Sequence, residues 1–252
     1  MNANKIIDAA DMTTPRSPAD FVTWARKAEE LGGTPDSCLM NVPRRLYKYR
    51  SLTGKNREYA QRAIAETEIY FPRCTEFNDP FDCRLNVRGE FDPTQKQQME
   101  RATESIGIFC LSARNDSLLM WSHYADGHRG ICLEFSTSQD QLFGCRLDPV
   151  VYEEHPELFV GDTINLDWAR KYLTTKARDW SYEQEWRIMY STPGAQTAPP
   201  KELSAVILGC SISISDRQEV VEWVSARRVP TRVYQAGREE GAFRLRFSPN
   251  VP

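Results

Sequence analysis

The chain has 252 residues, 40% hydrophobic and 27% charged, a length and balance that suit one folded domain with a short appendage. Its formal net charge of -3 supplies no general basic field, which argues against nucleic-acid binding by charge alone. No apolar run approaches the roughly 20 residues of a membrane span, so no membrane partner is expected.

The predicted elements begin with a helix in SPADFVTWARKAEELGG. Ser17 stands as N-cap, Pro18 at the first helical position and Asp20 in the first turn, while Gly32 ends it. Phe21, Trp24, Ala25, Ala28 and Leu31 form an apolar stripe suited to docking on the body or, second, to contacting a partner. TPDSCLMNVPRR reads as a linker, so residues 1–43 form an N-terminal extension and 44–252 a single domain. The first 18 residues carry acids and no apolar signal core, and seven cysteines are odd in number without regular spacing. A cytoplasmic protein with reduced thiols is the expectation.

RLYKYRS opens the body as a strand, with Leu46, Lys48 and Arg50 on one face and Tyr47 and Tyr49 on the other. A helix follows over about Asn56 to Glu68, then a short strand in EIYFP. TEFNDPFDC is a loop held by Asn78, Asp79 and Pro80. Asp92 and Pro93 open a polar helix running to about Ser105. IGIFCLS and GICLEF read as strands, with the aromatic-rich ARNDSLLMWSHYADGHR between them. NLDWARKYLTTKA reads as a helix feeding DWSYEQEWRI, whose last residues read as a strand. STPGAQTAPP is expected as a Pro/Gly-rich loop before the buried-type strand AVILGC. Asp216 is expected to cap a last helix through Trp223, and RVYQAGREEGAFRLRF to form a terminal hairpin. Strands and helices intermix without regular alternation, so the fold class is α+β: a mixed, mainly antiparallel sheet with flanking helices.

Several chemistries lack their parts. His123 and His128 are five apart near Cys110 and Cys132, but there is no C-x-x-C and no H-E-x-x-H, so no metal is expected. No cysteine lies in a nucleophile context, and G-x-S-x-G, Walker and G-x-G-x-x-G motifs are missing. What remains is a distributed set: Tyr47, Tyr49 and Arg50; Asn78 and Asp79; Trp121, His123 and Tyr124; Glu183 and Glu185. Taken singly, each fits a structural role. Tyrosines fill half-buried strands, N-D-P makes a turn, and charges often flank a strand.

LYKYRS, FNDPFDC, LLMWSHYADGHRGICLEF and WSYEQEWRI, in that order, resemble a widespread prokaryotic family of domains of unknown function, over roughly Leu46 to Gly209. The layout is also similar, more distantly, to the ADP-ribosyltransferase fold. That resemblance implies an NAD-contacting residue on the first strand, here Arg50. It implies Ser112 on a middle strand and a catalytic glutamate opening a late strand as E-x-E, here Glu185. LYKY departs from the usual His-bearing sequence, and the S-T-S triplet is missing. On this reading NAD is the substrate and the macromolecular acceptor is unknown. Tyr47, Tyr49, Trp121, His123 and Tyr124 join Arg50 and Ser112 as NAD-binding candidates, while Asn78 and Asp79 shape the site loop. Glu185 would stabilise charge developing on ribose, and Glu183 would orient an acceptor or take its proton. The function expected is an ADP-ribosyltransferase or NAD glycohydrolase, in a toxin or defence setting. The alternative is a non-catalytic module that binds a nucleotide, nucleic acid or protein.

Overall fold

A computed structural model describes residues 42–83, 93–137, 141–154 and 166–249. The helix expected at residues 17–32, Asp92 and Cys38 lie outside them. No helix among the described residues is long and apolar enough to cross a membrane, and none of the six described cysteines is in a disulfide.

Strand β1 (Arg45–Arg50) leads into helix α1 (Gly54–Gln61), which continues through a π-helical turn at Arg62–Glu66 into β2 (Glu68–Phe71). Helix α2 (Pro93–Glu104), β3 (Gly107–Ser112), α3 (Leu118–Tyr124) and β4 (Ile131–Ser136) follow. Four short strands come next: β5 (Gln141–Leu142), β6 (Cys145–Arg146), β7 (Asp148–Pro149) and β8 (Val151–Glu153). Helix α4 (Leu166–Thr174) runs directly into β9 (Thr175–Ala177), and a 3-10 turn at Arg178–Glu183 leads to β10 (Glu185–Tyr190). The chain closes with β11 (Gly194–Thr197), β12 (Leu203–Leu208), α5 (Ile214–Ser225), β13 (Arg232–Arg238) and β14 (Leu245–Pro249).

Eight strands form one sheet in the order β14-β13-β12-β4-β1-β3-β10-β7. Within it β12 and β13 run parallel and the other neighbours antiparallel. This is the expected α+β class, and β13 with β14 is the expected terminal hairpin. The sheet is not evenly knit. β1 pairs with β4 over six positions, from Arg45 opposite Ser136 to Arg50 opposite Ile131. β10 pairs with β3 over six positions as well, from Glu185 opposite Ser112 to Tyr190 opposite Gly107. Between these two halves, β1 and β3 meet at one register pair, Tyr47 with Ser112.

Alternation along the strands sends successive side chains to opposite faces. One face is apolar: Leu46, Phe109, Leu111, Leu133, Phe135 and Ile188 pack with Ile64 and with Val220 and Trp223 of α5. The other face holds Tyr47, Tyr49, Cys132 and Ile207 beneath Met120 and Trp121 of α3. The predicted split of β1, tyrosines against Leu46, is the observed one.

Local readings change in three places. The stretch expected as a Pro/Gly-rich loop contains β11, which pairs with β2 in a separate two-stranded ribbon. The helix in NLDWARKYLTTKA stops at Thr174. Thr174 and Thr175 turn their hydroxyls back onto Arg170 O and Lys171 O, and Thr175–Ala177 pairs in parallel with Val151–Glu153. The last helix is capped by Ser213, whose Oγ accepts from the Asp216 amide at 3.0 Å; Asp216 sits inside the first turn.

The ADGHRG turn is structural. A Cβ on Gly130 would lie 2.1 Å from Arg50 O, and one on Gly209 would lie 2.1 Å from His128 O. Three backbones cross where only glycine fits, which fixes the ends of β1, β4 and β12.

Candidate functional site

The single bridge between β1 and β3 leaves a cleft at the middle of the sheet. Its walls come from neighbouring elements: Tyr47, Lys48 and Tyr49 on β1, Cys110 and Ser112 on β3, Met120 and Tyr124 on α3, then Glu183 and Glu185. The cleft is small, about 60 Å³, enough for one end of a ligand rather than a whole dinucleotide.

Glu183 and Glu185 converge by a route different from the expected one. Glu183 does not share the strand with Glu185; it is the last residue of the 3-10 turn. Gln184 takes a left-handed conformation (φ 44°), and β10 starts only at Glu185. The turn swings Glu183 onto the face where alternation puts Glu185. Lys176 bridges them, its Nζ donating to Glu183 Oε2 at 2.6 Å and to Glu185 Oε2 at 3.0 Å.

Behind this pair lies a buried ion network. Arg187, two residues after Glu185 and therefore on the same face, donates from Nε to Glu185 Oε1 at 2.8 Å and from Nη2 to Asp82 Oδ2 at 2.6 Å. Its Nη1 donates to Leu173 O at 2.7 Å. Lys176 Nζ also stands 3.5 Å from Asp82. Three carboxylates thus face two cations, all with side chains at most 6% exposed. Buried charges persist only when paired and hydrogen-bonded, as these are.

The surroundings push the two glutamates apart. Burial raises the Glu185 carboxyl, but Arg187 and Lys176 together outweigh it and hold the group well below the ordinary carboxylate range. At Glu183 burial wins over the pull of Lys176 and is reinforced by the charge of Glu185, so its carboxyl lies above the ordinary range. Tyr124 donates to Glu183 Oε1 at 2.5 Å. The Cys110 thiol is pushed up by burial and by Glu185, which keeps it protonated and a poor nucleophile.

The other predicted residues divide. Ser112 is in the site but oriented inward: its Oγ donates to Glu183 O at 2.6 Å and accepts from the Arg114 amide at 3.1 Å, so it fixes the turn. Tyr47 donates to Glu134 at 3.4 Å and Tyr49 to Arg114 O at 2.8 Å, which leaves ring surface toward the cleft. Trp121 is fully buried, its Nε1 donating to Asn115 O and its ring between His128 and the edge of Tyr49. His123 is exposed beside Tyr182. FNDPFDC and the MWSHY helix meet where Asn78 Nδ2 contacts Tyr124 Oη at 3.5 Å. Asp79 serves its own loop, accepting from the Phe81 amide at 2.9 Å. Arg50 turns away from the cleft, its guanidinium reaching Asn56 and lying over Tyr59.

Four residues of the site were missed: Lys48, Asp82, Lys176 and Arg187. Arg187 was legible, because E-x-E-x-R on a strand puts the glutamate and arginine on one face. Lys176 was hidden by extending α4 too far. Alternation puts Lys48 on the face of Leu46, where its partner on β4 is Leu133 and its ammonium lies 5.0 Å from the Phe109 ring centre. Its tip turns into the gap between β1 and β3 and donates to Cys110 O at 2.8 Å.

The model of a family described as a protein of unknown function, DUF2971, matches residues 120–188. That span starts inside α3 at Met120, contains β4 and both glutamates, and ends just after Arg187. No curated protein and no solved structure matches the chain.

Proposed function

We propose that the protein acts on NAD, as an ADP-ribosyltransferase or an NAD glycohydrolase, with Glu185 beside the reacting ribose and Glu183 handling a proton. The observation that carries this reading is the divergence of two adjacent carboxylates at one cleft, Glu185 held below the ordinary carboxylate range and Glu183 raised above it. Pairs of titratable groups pushed apart by their surroundings suit a site that combines charge stabilisation with proton transfer.

In the reaction the bond between the nicotinamide nitrogen and ribose C1 breaks, and nicotinamide leaves with the electron pair. The positive charge left on the ribose is stabilised by the ionised Glu185 carboxylate. Water or an acceptor group then attacks C1 and gives its proton to Glu183, whose raised pKa makes it the better base. Tyr47 and Tyr49 offer ring surface for stacking. Arg50 lies off the cleft, so any contact of it with the pyrophosphate falls outside the pocket, near Asn56. A cytoplasmic toxin or defence effector is the setting such an activity fits.

The competing reading is a non-catalytic module that binds a nucleotide, nucleic acid or protein. One observation favours it: both oxygens of Glu185 are already engaged by Arg187, and one also by Lys176.

The test is nicotinamide release from NAD by the wild-type protein and Glu185→Gln. Release is expected from the wild type, with a loss of about 10²–10³ in the variant, or roughly 3–4 kcal/mol of transition-state stabilisation. Circular dichroism checks that the variant is folded, since Arg187 keeps Asp82 as its partner. No release from folded wild type, with water or candidate acceptors present, gives the field to the binding module.

A further inference from the structure

Lys48 stands out once the charges around the cleft are set side by side. Asp82, Glu183 and Glu185 face Lys176 and Arg187, which leaves one negative charge unbalanced when all three carboxylates are ionised. Lys48 reaches the same cleft from the opposite face of the sheet, through the gap where β1 and β3 part. Its hydrogen bond goes to a backbone carbonyl, Cys110 O, and not to a carboxylate. A charged Lys48 therefore makes the site neutral, and an uncharged one leaves it anionic.

We propose that Lys48 sets the charge of the cleft, so that a ligand carrying positive charge is held well only when the Lys48 amine is neutral. Such a ligand would be a pyridinium, or a sugar bearing cationic character. The inference deepens the NAD reading, which supplies a nicotinamide cation and a cationic ribose. Its physical core, a lysine that opposes a cationic ligand, stands without turnover.

The groups facing Lys48 are themselves buried or paired. Burial and the neighbouring Arg50 lower the Lys48 pKa to about 8. Burial raises the Cys110 thiol on β3, and the Tyr49 hydroxyl on β1 and the Tyr124 hydroxyl on α3 are raised in the same way. Tyr47 is pushed up to about 12 by burial and Glu134. Lys176 and Arg187 are held charged by Glu185 and its neighbours against the cost of burial, and Glu185 is held ionised by those same cations. The Glu183 carboxyl is raised by burial against the pull of Lys176.

The test uses the full chain and 1-methylnicotinamide, a pyridinium whose own charge does not change with pH. Equilibrium binding is measured from pH 7 to pH 9 for wild type, Lys48→Met and Lys48→Arg. Wild-type affinity is expected to rise by up to about tenfold across that range as the amine loses its proton. Lys48→Met should bind at the high-pH level throughout, and Lys48→Arg, charged throughout, at the low-pH level. If either variant fails to fold, the wild-type profile and the other variant still decide. A rise that persists in Lys48→Met, weaker binding by Lys48→Met than by wild type at pH 7, or no binding by any folded form would overturn the proposal. Nicotinamide release is followed separately. A pH-gated probe site with no NAD turnover would sink the NAD reading and leave the role of Lys48 standing.

Discussion

Phe109 and Cys110 are neighbours in β3, yet they enter two different interiors. Phe109 lies among aromatic rings, with Phe71, Phe135 and Phe143 at 5.4–6.3 Å from one another or from it. Cys110 lies opposite Arg187, on the face that holds three carboxylates and two cations. The apolar face is held by burial, which is non-directional and indifferent to pH. The charged face is held by pairing, in which each member is tolerated only because of the others. The sheet is stabilised from one side and equipped from the other.

The largest contrast comes from breaking each side once. Phe109→Ala should cost about 3–5 kcal/mol through lost burial and a cavity. Arg187→Met should cost about as much, because it leaves Asp82 and Glu185 buried with Lys176 as their remaining cation. The two differ in pH dependence. The wild-type Glu185 carboxyl is depressed, so its contribution is present above the unfolded pKa of about 4.3 and is lost as pH falls below it. The Arg187→Met deficit should therefore shrink between about pH 4.5 and about pH 2.5, while the Phe109→Ala deficit stays constant. Urea unfolding at the two pH values measures both; a constant Arg187→Met deficit would show that packing, not charge, dominates that face.

A smaller effect of opposite sign is expected where the two faces meet. Lys48 is lowered to about 8, so its ammonium destabilises the fold at neutral pH. With the folded pKa below the unfolded value, that cost is full below about pH 8 and fades as pH rises toward about 10.4. Lys48→Met should stabilise the protein by about 1–3 kcal/mol at pH 7, less the lost Cys110 O hydrogen bond, and by almost nothing near pH 10.5. Thermal melts across that range test the sign. Destabilisation at pH 7 would mean that the bond to Cys110 O outweighs the buried charge.

The same contrast explains what could be read from the sequence. The apolar face was legible because period-2 alternation in RLYKYR, IFCLS and ICLEF marks buried positions directly. The terminal hairpin was legible from its two strand-like runs. The charged face was legible only in part, since its members come from three places: Asp82 in a loop, Lys176 on a three-residue strand, and Glu183 in a turn. What unites them is the left-handed Gln184 and the early end of α4, and neither has a strong local signature in DWSYEQEWRI or KYLTTKA. Arg50 and Lys48 show the limit most clearly. Alternation puts both on one face of β1, and only the gap beside β3 decides which of them turns into the cleft.

The smallest expected effects come from the two helices that cover the faces, α5 over the apolar side and α3 over the charged side. Both begin with a serine cap. Ser213 accepts from the Asp216 amide at 3.0 Å, whereas Ser117 accepts from the Met120 amide at a long 3.4 Å. Ser213→Ala should therefore cost about 1 kcal/mol and Ser117→Ala about 0.5 kcal/mol. Their effects on the cleft should run in the opposite order. α5 contributes no residue to the cleft wall, but α3 carries Met120 and Tyr124, and the Tyr124 hydroxyl sits 2.5 Å from Glu183. Loosening the first turn of α3 moves the element that supplies that donor. Ser117→Ala should lower nicotinamide release, or the binding of 1-methylnicotinamide, measurably more than Ser213→Ala despite the smaller loss in thermal stability. If the two variants lose cleft function in proportion to their stability, α3 is a cover like α5, and Tyr124 plays no part in setting the site.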